Sequence, residues 1–406
     1  MGREKKKNGQ EVVIVSGART PIGDFGGLLK DFRATQLAAI TIEEAIERIH
    51  LPKDQIEDSI FGCCIQNTDE ITVGRIAAQL AGLPDTIPGV TIHRQCTSSM
   101  QALVYGAQQI LLGDAEIILV GGTESMSNTP FTLKTVRWGA RLRHGEMTDA
   151  LWDALYAGSG ILGKPMIMGS TGENLAEKYN ITRQEQDELA LTSQHRAVKA
   201  IKEGRFKEEI VPVPIPQKKG PPKIFDTDEH PRDGLTMEDL ARLEPVFKKD
   251  GTVTVGNASG INDGACAAIL MSRKKAEKLG LEPLAKLRMP GYAVVGVDPR
   301  YMGYAPIPAT EIALQKAGLT LKDIELIECN EAFAAQYLTC EKLLGWDREI
   351  ANVNGSGIAL GHPVGMTGLR IVITLIYEMR RRGLKKGLAT LCGGGGQGMA
   401  VILERD

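Results

Sequence analysis

No strong charge of either sign marks this chain. It carries 48 Lys and Arg against 50 Asp and Glu, a net charge of -2, over 406 residues. That balance argues against a nucleic-acid or acidic-membrane partner. The basic run Arg3–Lys7 precedes the first strand pattern and reads as a solvated tail. No apolar stretch approaches the ~20 residues of a membrane span, and no secretory h-region opens the chain. The last residues, Glu-Arg-Asp, are not a peroxisomal tripeptide. The expected compartment is therefore the cytoplasm. The seven cysteines contain no C-x-x-C pair and lack histidines at metal spacing. They read as free thiols of a reducing compartment. Most are expected to be small core residues.

What is present is an ordinary soluble composition, 43% apolar and 24% charged. The length suits two or three domains rather than one core. Residues 11–16, EVVIVS, read as a buried strand, and 34–49 have helical spacing. A polar turn into a strand follows at KDQIEDSIFGCCIQ. A similar unit recurs at ATEIALQKAG and LKDIELIECNEAF, residues 309–333. A second pair also recurs. Residues 100–122 run helix, Gly113, strand IILV and two glycines. Residues 369–396 run helix, Gly383, strand LATL, Cys392 and a glycine run. Two matches in the same order predict two duplicated α/β halves, each a sheet covered by helices.

The stretch from 124 to 249 breaks that rhythm. It holds helical patterns at LWDAL and RQEQDELALTSQHRAVKAIKEG, and a Pro/Lys-rich connection, VPVPIPQKKGPPK. It reads as an insertion. The strand-like GTVTVGNASG and CAAILMS at 251–272 resume the first half. The predicted organisation is 1–123 as the first half, completed by 250–275, with 124–249 inserted and 276–406 as the second half.

Candidate chemistry centres on IHRQCTSSM. Cys96 stands where an extended run, GVTI, gives way to a helical run. A helix N-terminus there is expected to lower the thiol pKa below its free value of ~8.5. A buried, inert cysteine is the competing reading. Three later stretches favour reactivity. NEAF brings the Asn330 amide. GHPVG places His362 in a glycine-flanked loop that can reach a cleft. CGGGGQG ends a strand on Cys392 and leaves glycine N–H groups free for an oxyanion. Two decoys fail. GSGIALG has the wrong spacing for a dinucleotide fingerprint. GGGGQG lacks the Lys-Ser/Thr of a phosphate loop.

These blocks, with GGTESMS, DEHPRDGLT and GTVTVGNASGINDGA, resemble the thiolase family over nearly the whole chain. The resemblance implies a layered αβαβα fold of two duplicated halves, with a loop domain inserted in the first. It implies an acetyl-CoA C-acetyltransferase that condenses two acetyl-CoA to acetoacetyl-CoA and CoA, or runs the thiolytic reverse. Cys96 would be the acylated nucleophile. His362 would take its proton and assist the leaving CoA. Cys392 would move the α-proton. Asn330 would position a water that, with His362, binds the thioester oxygen. The N–H groups of Cys96 and Gly394 would form a second oxyanion hole. The family's CoA contacts fall on Arg232, Ser259 and Leu151, and its acyl-end residues on Met168 and Phe333. No metal or redox cofactor is implied, and CoA is a co-substrate. A homodimer or homotetramer is implied.

Three departures stand out: His93 for a usual Asn, Ser99 for Gly, and Ile167 where short-chain members often carry His. The second half is as similar to 3-ketoacyl-CoA thiolases, which leaves a degradative enzyme of longer chain preference as the alternative. A non-catalytic acyl-CoA or lipid-binding relative would lack Cys96, His362 or Cys392. A decarboxylating ketoacyl synthase would not usually carry Cys392.

Overall fold

The structure is a computed structural model that describes residues 11–142 and 144–406. The basic run Arg3–Lys7 lies outside the described residues. Nine strands build the main sheet: β1 (Val12–Arg19), β2 (Asp58–Gly62), β3 (Gly89–Ile92), β4 (Ile117–Ser125), β5 (Asn262–Ser272), β6 (Ala285–Gly296), β7 (Leu326–Cys329), β8 (Lys386–Gly393) and β9 (Gln397–Glu404). The two-residue strand Gly23–Asp24 adds to β5. The order is β7-β8-β9-β6-β1-β5-β4-β2-β3.

The duplication is visible in that order. At the centre, β1 and β6 run antiparallel, pairing Val12 with Leu287 and Ile14 with Ala285. Outward from this seam, one side continues β5, β4, β2 and the other β9, β8, β7. On both sides the first two pairings are antiparallel and the third parallel. A parallel bridge between Ile327 and Ala351 stands where β3 pairs β2.

Alternation along the strands produces the layers, because successive side chains point to opposite faces. Six helices complete them: α1 (Ala34–Glu47), α2 (Val73–Leu80), α3 (Ser98–Leu112), α4 (Pro306–Ala317), α5 (Ala334–Leu344) and α6 (Val364–Arg382). Ile118 and Val120 of β4 share a core with Ala389 and Leu391 of β8, Leu103 of α3 and Leu369 of α6. Ile117 and Leu119 instead meet Leu37 and Ile42 of α1. Leu388 and Ile402 meet Ile307 of α4 and Tyr337 of α5. The result is the αβαβα sandwich, with α3 and α6 as its central layer.

The two central helices cross closely. A Cβ at Gly368 would lie 2.7 Å from the backbone nitrogen of Met100. Ser99 closes the crossing: its hydroxyl donates to the Met366 carbonyl and accepts from the Leu369 N–H, both at 2.9 Å. The Ser99 departure is thus a stitch between α3 and α6. Both helices stop at a left-handed glycine, Gly113 (φ 80°) and Gly383 (φ 69°). Arg380, Arg381 and Arg382 fill the last turn of α6, where cations meet the negative end of the helix.

Two sequence expectations are corrected. GTVTVGNASG is a loop, not a strand, because side chains capture its backbone. The Glu173 carboxylate accepts from the N–H groups of Thr252 and Val253, and Asn257 Oδ1 accepts from Thr254 N. VPVPIPQKKGPPK is more than a connection. Val213–Ile215 and Lys223–Phe225 pair as a small antiparallel hairpin.

The inserted stretch is anchored by a buried ion cluster. Arg19, at the end of β1, pairs with Glu209 through Nε at 2.6 Å. It grips Asp228 with both terminal nitrogens, at 2.7 and 2.9 Å. Asp228 also accepts from the Ile22 N–H at 2.8 Å. Burial works against the cation, yet Asp228 and Glu209 hold the Arg19 pKa above its usual value.

Candidate active site

The nucleophile candidate sits on a tight turn between β3 and α3. Gln95 has φ of 51°, a left-handed conformation that a side chain adopts only where the surroundings require it. Three hydrogen bonds require it here. Thr97 Oγ1 donates to Arg94 O at 2.7 Å, Ser98 Oγ donates to Gln95 O at 2.6 Å, and Arg94 N donates to Ser98 Oγ at 2.8 Å. Thr97 is the cap residue of α3, so Cys96 stands just before the helix. The side chains of a Cys-Thr-Ser sequence thus fold the turn that presents the sulfur.

The expected depression of the Cys96 thiol does not occur. Burial pushes its pKa up to about 11. The N–H groups of Gly394 and of Cys96 itself pull the other way, but removal of the sulfur from water wins. Cys392 is fully buried at the end of β8, and burial, then Cys96 and Cys340, hold it well above the ordinary thiol range. Both sulfurs therefore rest as thiols at neutral pH.

His362 supplies a base without a competing partner. Its loop from the second half docks on the first, with His362 N donating to Asn262 Oδ1 at 2.9 Å. The Thr367 hydroxyl donates to Pro363 O at 2.8 Å and lies 2.7 Å from His362 Nδ1. With the hydroxyl proton committed, Nδ1 is the donor in that contact, and Nε2 carries the lone pair. Nε2 has no partner among the described residues. Burial, then the charge of Arg370, lowers the imidazole pKa to about 3. In the unfolded chain a histidine titrates near ~6.5. Its folded pKa is depressed, so between these values the unfolded state binds the extra proton. Stability is present above pH ~6.5 and is lost as pH falls toward 3, by up to ~1.4 kcal/mol per pH unit from this one group. Denaturant titrations at pH 7, 6, 5 and 4 should show a shallower acid loss in His362→Gln than in the unsubstituted protein. Equal slopes would contradict the tautomer and burial argument.

A cavity of about 550 Å³ opens on these groups. Cys96, His362, Met168, Phe333, Arg232 and Ser259 all line it. Ser259 is held by its N–H to Ala332 O at 3.0 Å, and Arg232 by its N–H to Gln194 Oε1 at 2.8 Å. Cys392 lies behind the wall, in a small apolar cluster with Phe333, Met302 and Ala258 against which Met168 packs. Asn330 is fully buried and does not line the cavity, and neither of its amide atoms has a partner among the described residues. Gly394 lies against the wall, where a Cβ would meet Met168 Cε at 2.4 Å. Leu151 is buried in a short helix, Ala150–Ala154, and is not among the cavity-lining residues.

Several contributors escaped the sequence reading. Glu124 is a buried carboxylate that accepts from the N–H groups of Cys64, Ile65 and Gly365, each at 2.9 Å. It pins the cavity-lining Cys64 loop to the start of α6. An acid ending an apolar strand was its only signal. His230 also lines the cavity and hydrogen-bonds Asp24 through Nδ1. Of the departures, Ile167 and the exposed His93 both line the cavity. Among the described residues, no group of three or more His, Cys, Asp or Glu could hold a metal ion.

A duplicated αβαβα sandwich, in which a cysteine on a left-handed turn and an unpartnered imidazole line one cavity, defines an acyl-transfer class of protein. The family descriptions that match are "Thiolase, N-terminal domain" over residues 12–274 and "Thiolase, C-terminal domain" over 281–405. The acetyl-CoA acetyltransferase of Pseudomonas aeruginosa is 49% identical over 402 residues, covering 98% of this chain and 100% of the relative. A β-ketothiolase of Cupriavidus necator is 47% identical over 98% of this chain and 99% of its own. Two solved structures superpose closely. The acetyl-CoA acetyltransferase of Bacillus anthracis has a TM-score of 0.94 and 50% identity, covering 97% of this chain and 98% of the other. Human mitochondrial 3-ketoacyl-CoA thiolase in complex with CoA has 0.92 and 44%, covering 98% of each. The chain belongs to the thiolase family.

Proposed function

We propose that this thiolase is an acetyl-CoA C-acetyltransferase, interconverting two acetyl-CoA with acetoacetyl-CoA and CoA through an acetyl group on Cys96. The observation that carries the reading is the pairing of a resting Cys96 thiol with the unpartnered Nε2 of His362 in one apolar cavity. In this reading His362 takes the thiol proton as the sulfur attacks the thioester, then passes it to the departing CoA sulfur. A neutral imidazole suits that exchange, because a permanent cation there could not accept the proton. The Cys96 and Gly394 N–H groups aim at the acyl oxygen of the covalent intermediate. The second oxygen site is His362 with the Asn330 amide, whose unmet hydrogen bonds support a polar partner there. Cys392, a thiol at rest, gives its proton to the acetyl-CoA enolate during cleavage. In the condensation direction it first yields that proton to His362, neutral again once CoA has left, and its thiolate then takes the α-proton. His362 returns the held proton to the Cys96 sulfur as that sulfur leaves. Arg232 and Ser259, which line the cavity, are the proposed CoA contacts, and Leu151, buried outside its lining, is the weaker candidate. The reading needs no metal or redox group.

We assign the work to the cytoplasm. The described cysteines are all free, which supports a reducing compartment. No helix among the described residues is long and apolar enough to cross a membrane. A homodimer or homotetramer is proposed as well. Exposed Trp138 and Leu142 in the inserted stretch support self-association. Light scattering on the purified chain tests it.

The decisive experiment for function is incubation with acetyl-CoA followed by intact-mass measurement, which should show one acetyl group on Cys96. Chain length separates the second reading. Met168 and Phe333 close the acyl end of the cavity, so thiolysis should be fastest with the four-carbon 3-ketoacyl-CoA. Each added methylene changes binding by only ~1 kcal/mol unless a wall clashes. A kcat/KM that rises toward ten carbons would favour a 3-ketoacyl-CoA thiolase of longer preference. Apolar Ile167 on the cavity wall is the feature that would then be responsible.

A further inference from the structure

Behind the cavity lies a buried Glu–Arg pair that the acyl-transfer reading does not use; burial, opposed by Arg370, holds the Glu328 carboxyl well above its usual range. Leu326, Glu328 and Asn330 alternate with Ile327 and Cys329 along β7 and its continuation. Leu326 joins the central core, whereas Ile327 and Cys329 join the outer one. Glu328 and Asn330 therefore face the central helices together, one strand repeat apart. Arg370 reaches the same place from the second turn of α6, the helix that begins just after His362. Its Nη1 lies 3.8 Å from Glu328 Oε2, with both side chains withdrawn from solvent.

The contact is unusual in being left open. Among the described residues, none of the three guanidinium nitrogens and neither carboxyl oxygen has a hydrogen-bond partner. An ion pair that served stability would close those bonds, as Arg19 does with Asp228 at 2.7 and 2.9 Å. An open buried pair is a net cost relative to apolar packing. What it does provide is a directional link. One end is fixed to β7, which leads directly into Asn330, the other to α6, which starts two residues after His362.

We propose that Glu328 and Arg370 are a positioning pair that holds the Asn330 amide and the His362 imidazole in register with each other. The proposal rests on the reading of those two groups as the site of a thioester oxygen. The charge of Arg370 adds to burial in keeping His362 neutral. The other charged groups around Arg370 are Arg19, Glu209 and Asp228, which belong to the anchor cluster. Near the reacting thiol stands the Glu124 carboxylate. Neither set bridges β7, which precedes Asn330, to α6, which follows His362, as this pair does.

The test is a set of variants in the full-length protein, each assayed for acetyl transfer and for thermal unfolding. Arg370→Met and Glu328→Ala should lower kcat about tenfold or more, as misplacement of a reacting group does, with the KM for acetyl-CoA unchanged. Arg370→Lys and Glu328→Gln should recover part of kcat. The double variant Glu328→Leu/Arg370→Met separates positioning from packing. Replacing both charges by apolar groups should restore the melting temperature but leave kcat low. Recovery of both would overturn the proposal, as would single variants with unaltered kcat. If the single variants fail to fold, the double and conservative variants decide the matter. If the unsubstituted protein transfers no acetyl group, the functional reading falls instead. The pair is then judged by iodoacetamide alkylation of Cys96 at neutral pH, which Arg370→Lys and Glu328→Gln should slow; unaltered alkylation would count against it.

Discussion

Cys96→Ala should take up no acetyl group from acetyl-CoA, and Cys392→Ala should take one up and then stall. Removal of the nucleophile deletes the covalent route, so the overall rate should fall by at least ~10³-fold. Removal of Cys392 leaves the acylation machinery intact. The Cys96 turn is held by Thr97 and Ser98, and His362 by Thr367, none of which contacts Cys392 through a hydrogen bond. What Cys392→Ala lacks is the group that moves a proton at the neighbouring carbon. Its condensation rate should therefore fall about as far as that of Cys96→Ala, while intact mass still shows the acetyl adduct. Exchange of label between CoA and acetyl-CoA, which needs only acylation, should survive in Cys392→Ala and vanish in Cys96→Ala. Full condensation activity in Cys392→Ala would remove that residue from the mechanism.

Arg19→Met should be the most destabilising single change away from the cavity. The guanidinium is fully buried and makes two bonds to Asp228 and one to Glu209. Its loss strands two carboxylates in the interior, and breaking such a cluster on one side costs about 3–5 kcal/mol. The damage is also architectural. Arg19 and Val211 exchange backbone hydrogen bonds with this same region, through Arg19 N to Glu209 O and Val211 N to Arg19 O, both at 2.8 Å. A large drop in urea midpoint is expected. Partial recovery should follow when Asp228→Asn and Glu209→Gln are added, because the uncompensated charge is then gone. A midpoint equal to that of the unsubstituted protein would show that the cluster contributes nothing.

The sequence carried the halves more clearly than the bonds between them. Helix–glycine–strand repeats at 100–122 and 369–396 foretold β4 and β8 with their helices, because local periodicity and glycine stops are written residue by residue. GTVTVGNASG deceived for the opposite reason. Its β-branched residues suit a strand, but Glu173, far away in sequence, takes its N–H groups. Of the cavity residues, Cys96 and His362 stand out from their own motifs, whereas Met168, Phe333, Arg232 and Ser259 follow only from the resemblance to thiolases. The state of the thiol was not. A helix start predicts a lowered pKa, whereas the depth of burial, a property of the whole fold, raises it. Glu124, the Arg19 cluster and the Glu328–Arg370 pair were likewise invisible, since each joins segments separated by scores of residues.

The seam between β1 and β6 has a consequence for how the protein comes into being. Cys96 belongs to the early half, while His362 and Cys392 belong to the late one, and Cys392 stands in the penultimate strand. A chain emerging from the ribosome thus carries its nucleophile long before it carries a base. During that interval the cysteine has no imidazole partner, and no cavity shapes an acyl group toward it. Reactivity appears only when the second half pairs along the β1–β6 seam and the His362 loop closes on Asn262. Contacts this distant in sequence form slowly. Catalytic competence is then a late event of folding, and a truncated or half-folded chain is kept from acting on a central metabolite by topology alone.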